Sequence, residues 1–127
     1  MKTLHVGIAT YEEMKARTLA IAKGELKPKA GDPQIWFPST ESFAKLLSSR
    51  NRALLKQIQT DQPESINALA TATGRTTGNL SRTLRTMERY GLVRLHRGAR
   101  GMVRPEVPYS DVQLKMQISG RLGLVHP

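Results

Sequence analysis

The sequence predicts an α+β fold built on two short helices and a basic hairpin. Three observations carry that expectation. Residues 65–91, SINALATATGRTTGNLSRTLRTMERYG, hold two helical patterns meeting at Gly74, the second closing at Gly91. A short apolar run then enters the arginine-rich turn Gly98–Gly101. Outside this block, residues 3–8 and 112–118 each alternate apolar and polar positions, the pattern of a half-buried strand. Together these describe a winged helix-turn-helix with an N-terminal strand-helix extension and a C-terminal strand. The expected organisation is an N-terminal strand-helix and connector over 1–38, the winged helix-turn-helix and last strand over 39–118, and a flexible tail over 119–127.

The elements follow in order. Leu4, Val6 and Ile8 share one face of the first strand. Thr10-Tyr11-Glu12-Glu13 fits a capping box, in which the Thr hydroxyl and the Glu13 carboxylate each cover a free N–H. Met14, Ala16, Leu19, Ala20 and Ile21 are the apolar positions of the helix that follows, and Gly24 is its stop. ELKPKAGDPQIWFP, residues 25–38, reads as a connector with a short extended piece at Gln34–Phe37. Trp36 and Phe37 there either plug the first unit onto the core or form a partner-binding patch.

A helix starts at Ser39 or Thr40, with Phe43, Leu46 and Leu47 as its core stripe. Ser48 to Asn51 break it, and Ser49 or Asn51 caps a helix with Ala53, Leu54, Leu55 and Ile58 inward, ended by Pro63. Ser65 caps a two-turn helix with Ile66, Leu69 and Ala70 buried, and Gly74 provides a left-handed exit. Thr76 or Thr77 caps the next helix, which turns Leu80, Leu84 and Met87 to one side and Gly78, Arg82, Arg85 and Arg89 to the other. Leu92, Val93 and Leu95 begin a strand, Met102 and Val103 return from the hairpin, and Pro105 and Pro108 limit its pairing. Val112, Leu114, Met116 and Ile118 form the last strand face.

Charge narrows the function. The net charge is +10 and the sequence pI about 10.6. Residues 75–104 hold eight arginines and a single acid, Glu88, and so carry most of that excess. Such a concentration favours a polyanion, an anionic membrane surface or an acidic partner. Paired with two short helices it points to duplex DNA. The second helix would enter the major groove with Arg75, Thr76, Thr77, Gly78, Asn79, Ser81, Arg82 and Arg85 as candidate contacts. Asn79 suits adenine, Arg82 guanine, and Thr77 or Ser81 a phosphate or base. Arg94, Arg97, Arg100 and Arg104 on the hairpin would meet the neighbouring minor groove or backbone. Arginine is the only cation of this segment, which suits bidentate contacts to phosphate and guanine.

Other classes find less support. The chain has no cysteine, so disulfides and zinc–thiolate sites are excluded. His5, His96 and His126 are scattered, and no cofactor is expected. No apolar run approaches the ~20 residues needed to cross a bilayer, and the N-terminus is a poor signal peptide, so no membrane partner and a cytoplasmic location are expected. No nucleophile motif, P-loop or GxGxxG argues for an enzyme, and Glu12-Glu13 is explained by capping. None of the six aromatics sits on the basic helix face, which counts against single-strand stacking.

The run GRTTGNLSRTLRTMERYGLVRLHRGARG resembles winged helix-turn-helix regulators of the MarR and ArsR type over about residues 50–105. Metal ligands of the ArsR kind have no counterpart here. Over the whole chain, YEEMKARTLAIAKGE and WFPSTESFAKLLSSRNRALLKQI look like small winged-helix proteins encoded beside toxin genes, as in TumE/TumA-type toxin–antitoxin pairs. That resemblance implies an antitoxin or autorepressor role. The leading expectation is a dimeric, sequence-specific duplex-DNA-binding (auto)repressor, and the alternative an antitoxin that neutralises a cognate toxin and regulates its own operon. A homodimer is expected on the terminal strands and first helix, because two short isolated strands are marginal unless they pair with each other or with a second chain. The competing reading packs all three within one monomer.

Overall fold

A computed structural model of the chain describes residues 2–118; the expected tail, 119–127, lies outside the described residues. The fold is α+β. In chain order the elements are β1 (Lys2–Ile8), α1 (Tyr11–Ala22), β2 (Ile35–Phe37), α2 (Thr40–Leu46), α3 (Ser49–Asp61), α4 (Ile66–Thr73), α5 (Thr77–Arg89), β3 (Arg94–Arg97), β4 (Val103–Glu106) and β5 (Tyr109–Lys115). Two compact units result. One is Leu46–Ser110, with Lys2; the other is Thr3–Lys45 together with 111–118. The division falls at Leu46 and Ser110. Among the described residues no helix is long and apolar enough to cross a membrane.

The second of these units is organised by a three-stranded sheet in the order β2-β1-β5. β1 and β2 run parallel, with Val6 opposite Ile35, Gly7 opposite Trp36 and Ile8 opposite Phe37. The Gln34 N–H donates to the His5 carbonyl (2.8 Å) and the Ala9 N–H to the Phe37 carbonyl (2.9 Å), closing the pairing at both ends. A parallel pair needs a crossover, and α1 supplies it. Its start is the capping box: the Thr10 hydroxyl accepts from the Glu13 N–H and the Glu13 carboxylate accepts from the Thr10 N–H. Leu4, Val6, Ala9, Ala20 and Phe37 are buried, and the Phe43 ring meets Phe37 edge-on at 5.3 Å. β1 therefore pairs on both sides within the chain, while β2 and β5 form the two edges of this sheet.

The sequence misjudges α1. Leu19 is 50% and Ile21 37% exposed, while Arg17 is only 7% exposed. The helix turns inward the face of Arg17 and Ala20, because Arg17 stacks on Trp36 and pairs with Asp32. The last strand also differs: it starts at Tyr109 and ends at Lys115, leaving Met116 and Ile118 exposed beyond it.

The first unit is helical with one hairpin. Leu54 and Ile58 of α3, Leu69 of α4, and Leu80, Leu84 and Met87 of α5 are buried with Leu92, Val93 and Val107. Ala53, expected inward, is exposed. The cap of α3 is Ser48, one residue before the expected candidates; its hydroxyl accepts from the Asn51 N–H, and the Asn51 amide bonds the Leu46 carbonyl. Leu92 and Val93 precede β3 instead of opening it, and act as buried plugs. β3 and β4 pair antiparallel in the register Arg94–Glu106, Leu95–Pro105, His96–Arg104 and Arg97–Val103. Pro105 does not limit this pairing. In a two-stranded hairpin its missing N–H can face away from the partner, so the ladder continues past it.

Candidate nucleic-acid interface

The site is built on two helix starts and the hairpin tip. The Ser65 hydroxyl accepts from the Ala68 N–H (3.0 Å), and Gly74 ends α4 with φ 75°, a conformation that favours glycine. The Thr76 hydroxyl accepts from the Asn79 N–H (3.1 Å) and starts α5. Leu80, Leu84 and Met87 are fully buried, so one side of α5 is fixed against the core. Gly78, Arg82, Arg85 and Arg89 are all exposed on the other side. The Arg85 Nε lies back along the helix toward the Ser81 carbonyl (3.3 Å), whereas Arg82 makes no ion pair among the described residues.

The hairpin turns through Ala99–Gly101, with Arg100 at φ 60° and Gly101 at φ 70°. The Gly98 N–H donates to the Met102 carbonyl (2.8 Å) to close it. A groove of about 320 Å³ runs between this tip and the first turns of α4 and α5, lined among others by Ser65, Asn67, Thr77, Ser81 and Arg100. Helix starts expose unpaired N–H groups and the positive end of the helix dipole, so the groove is suited to an anion. Of the expected contacts, Thr77, Ser81 and Arg100 are thus brought together. Ser65 and Asn67 join them; no spacing in the sequence links residue 65 to residue 100.

The other hairpin arginines separate. By the register, Arg94, His96, Arg104 and Glu106 share one face, while Leu95, Pro105, Arg97 and Val103 share the other. His96 Nε2 lies 2.9 Å from Glu106 Oε1, and this hydrogen bond, more than the flanking charges, holds the Glu106 carboxyl below its usual value. Arg97 reaches back to Glu88 of α5 at 3.5 Å. Arg97 is 61% exposed, so this pair is weak, but it links the hairpin to α5.

Arg75 and Asn79 are engaged internally. Arg75 Nε donates to Asn79 Oδ1 (2.8 Å), Nη2 to Thr83 Oγ1 (3.2 Å) and Nη1 to Asn51 Oδ1 (3.4 Å). Burial, and then the charge of Arg50, lower the Arg75 pKa, but the guanidinium stays protonated. Arg75 therefore positions Asn79, and its partners Asn51 and Thr83 were not visible as a set in the sequence.

Residues 46–114 match the model of the HVO_A0114 family. The chain belongs to the HVO_A0114 family. No curated protein and no solved structure matches it. The family match takes in α3, α4, α5, the hairpin and nearly all of β5, so every residue of the candidate interface lies inside it.

Proposed function

We propose that α4, α5 and the β3–β4 hairpin form a winged helix-turn-helix that binds double-stranded DNA and regulates transcription. The observation that carries this reading is the convergence of the α4 and α5 starts with Arg100 on one groove, beside an α5 whose buried face leaves its arginines outward. A helix of roughly 10–12 Å diameter enters the major groove, and its first turns approach the base edges. Arg82 is the base reader, with Gly78 allowing close backbone approach. Thr77, Ser81 and Arg100 hold the phosphates on either side. Arg94 and Arg104 sit on the outward hairpin face and act mainly through long-range charge.

The test is fluorescence anisotropy of the full chain on labelled duplexes across a salt series. Each phosphate contact contributes about −0.9 to the slope of log K against log salt. Arg100→Ala should flatten that slope by about 0.9 on every sequence. After selection from random duplexes, Arg82→Ala should cost about 1–3 kcal/mol on the preferred site and much less on random DNA. Absence of salt-dependent duplex binding would overturn the proposal.

A further inference from the structure

The unit built on the β2-β1-β5 sheet holds a cavity that the DNA reading leaves unused. It measures about 150 Å³ and is bounded by Arg17, Lys27, Lys29, Asp32, Trp36 and Lys115. None of these residues falls in the family-matched segment. Four of them are cationic and one is acidic, so the cavity has a large local excess of positive charge.

Its floor is constructed. Gly7 of β1 stands opposite Trp36 of β2, and a Cβ on Gly7 would lie 2.5 Å from the indole Cζ3. Only a residue without a side chain lets the indole lie there. The Arg17 guanidinium sits 5.4 Å from the Trp36 ring centre, and its Nη2 is 3.6 Å from Asp32 Oδ2. The same Asp32 oxygen accepts from the Lys29 N–H at 2.7 Å. That bond first, and Arg17 and Lys115 after it, hold the Asp32 carboxyl below its usual value.

Arg17 is the unusual member. It is 7% exposed, yet its ion pair with Asp32, its one ion pair among the described residues, spans 3.6 Å, longer than a hydrogen bond. Among the described residues no fully buried side-chain nitrogen lacks a partner. Any N–H group of Arg17 without a partner is therefore not fully buried, and Arg17 lines the cavity. A nearly buried guanidinium with open donors is costly, and an oxyanion placed before it would relieve that cost through paired N–H···O bonds.

We propose that this cavity binds a small organic dianion of about one ring's total volume, with a carboxylate or phosphate head at each end. A cavity of about 150 Å³ holds a benzene-sized molecule, which sets the size. One anionic head meets Arg17, and the second lies among Lys27, Lys29 and Lys115. Leu26 and Pro33, which also line the cavity, take the apolar body. With Asp32 offset against Arg17, three lysines remain, and that excess favours a ligand with more than one negative charge. This inference stands apart from the DNA reading.

Trp36 is the single tryptophan, so its emission reports the site directly. The full chain is titrated with succinate and with phenyl phosphate, against sodium chloride at matched ionic strength. A saturable change in Trp36 emission with succinate, accompanied by a rise in melting temperature, is expected. Succinate, with or without phenyl phosphate, would support the two-headed ligand; phenyl phosphate alone would show a single phosphate head and overturn it. The double variant K27Q/K29Q alters two exposed side chains, so its emission and melting without probe should match the parent. Its affinity should fall roughly tenfold or more, as expected for losing charge-assisted bonds. The proposal is overturned if chloride reproduces the response, if no probe produces one, or if K27Q/K29Q binds as the parent does.

Discussion

Helices α5 and α1 are nearly equal in length, thirteen and twelve residues, but they meet their surroundings in opposite ways. α5 buries Leu80, Leu84 and Met87 completely and turns its arginines outward. α1 leaves Leu19 and Ile21 exposed and buries an arginine. The difference lies in the partner. α5 packs on aliphatic side chains, for which apolar spacing is the relevant code. α1 meets an indole and a carboxylate, which accept a guanidinium and the apolar stem behind it. Apolar periodicity locates a buried face only when the opposing surface is itself apolar.

The largest expected effect tests that contrast directly. Leu84→Ala should destabilise the protein by about 2–5 kcal/mol, whereas Leu19→Ala should stay within about 0.5 kcal/mol. Urea unfolding followed by circular dichroism measures both, and similar losses would erase the distinction. Next in size, Gly7→Ala forces the indole or the strand to shift and should cost about 1–3 kcal/mol with a displaced Trp36 emission maximum. An unmoved spectrum would mean that Trp36 does not rest on Gly7.

The two helices should behave alike at their starts. Thr76→Ala and Thr10→Ala each remove a hydroxyl cap, and each should lower stability by about 1 kcal/mol. A marked inequality would show that end chemistry depends on the face after all. The smallest effect is expected in acid, where each unit has one carboxyl held below its ordinary value: Asp32 by the Lys29 N–H first, Glu106 by His96 first. A lowered folded value means the contribution is fully present above the ordinary values, 3.8 and 4.5, and is lost as pH falls through the lower folded ones. Carboxyl NMR titration between pH 5 and 2 should find both midpoints under those values; a midpoint at or above them would reject the pairing concerned.

Legibility follows the same division. Thr10, Ser65, Thr76, Gly74 and Gly91 are readable because caps and left-handed exits depend on near neighbours. The inward stripe of α5 is readable for the reason given above. The pairing of β1 with both β2 and β5 joins the two ends of the chain, and no local signal encodes it. Pro105 misleads because its effect depends on which way its nitrogen faces in the hairpin. The groove joining Ser65 and Asn67 to Arg100, and the bond from Asn51 to Arg75, likewise arise only when distant segments fold together.

Arg75 has one further consequence. Its guanidinium joins Asn51 of α3 to Asn79 and Thr83 of α5. Because Nε donates to Asn79 Oδ1, the amide of Asn79 is oriented and its rotation restricted before anything approaches. A free arginine carries about 2 kcal/mol of rotamer entropy, and here that freedom is surrendered during folding. A partner meeting this face of α5 therefore finds a preorganised amide, and its affinity is not diminished by ordering that side chain on arrival.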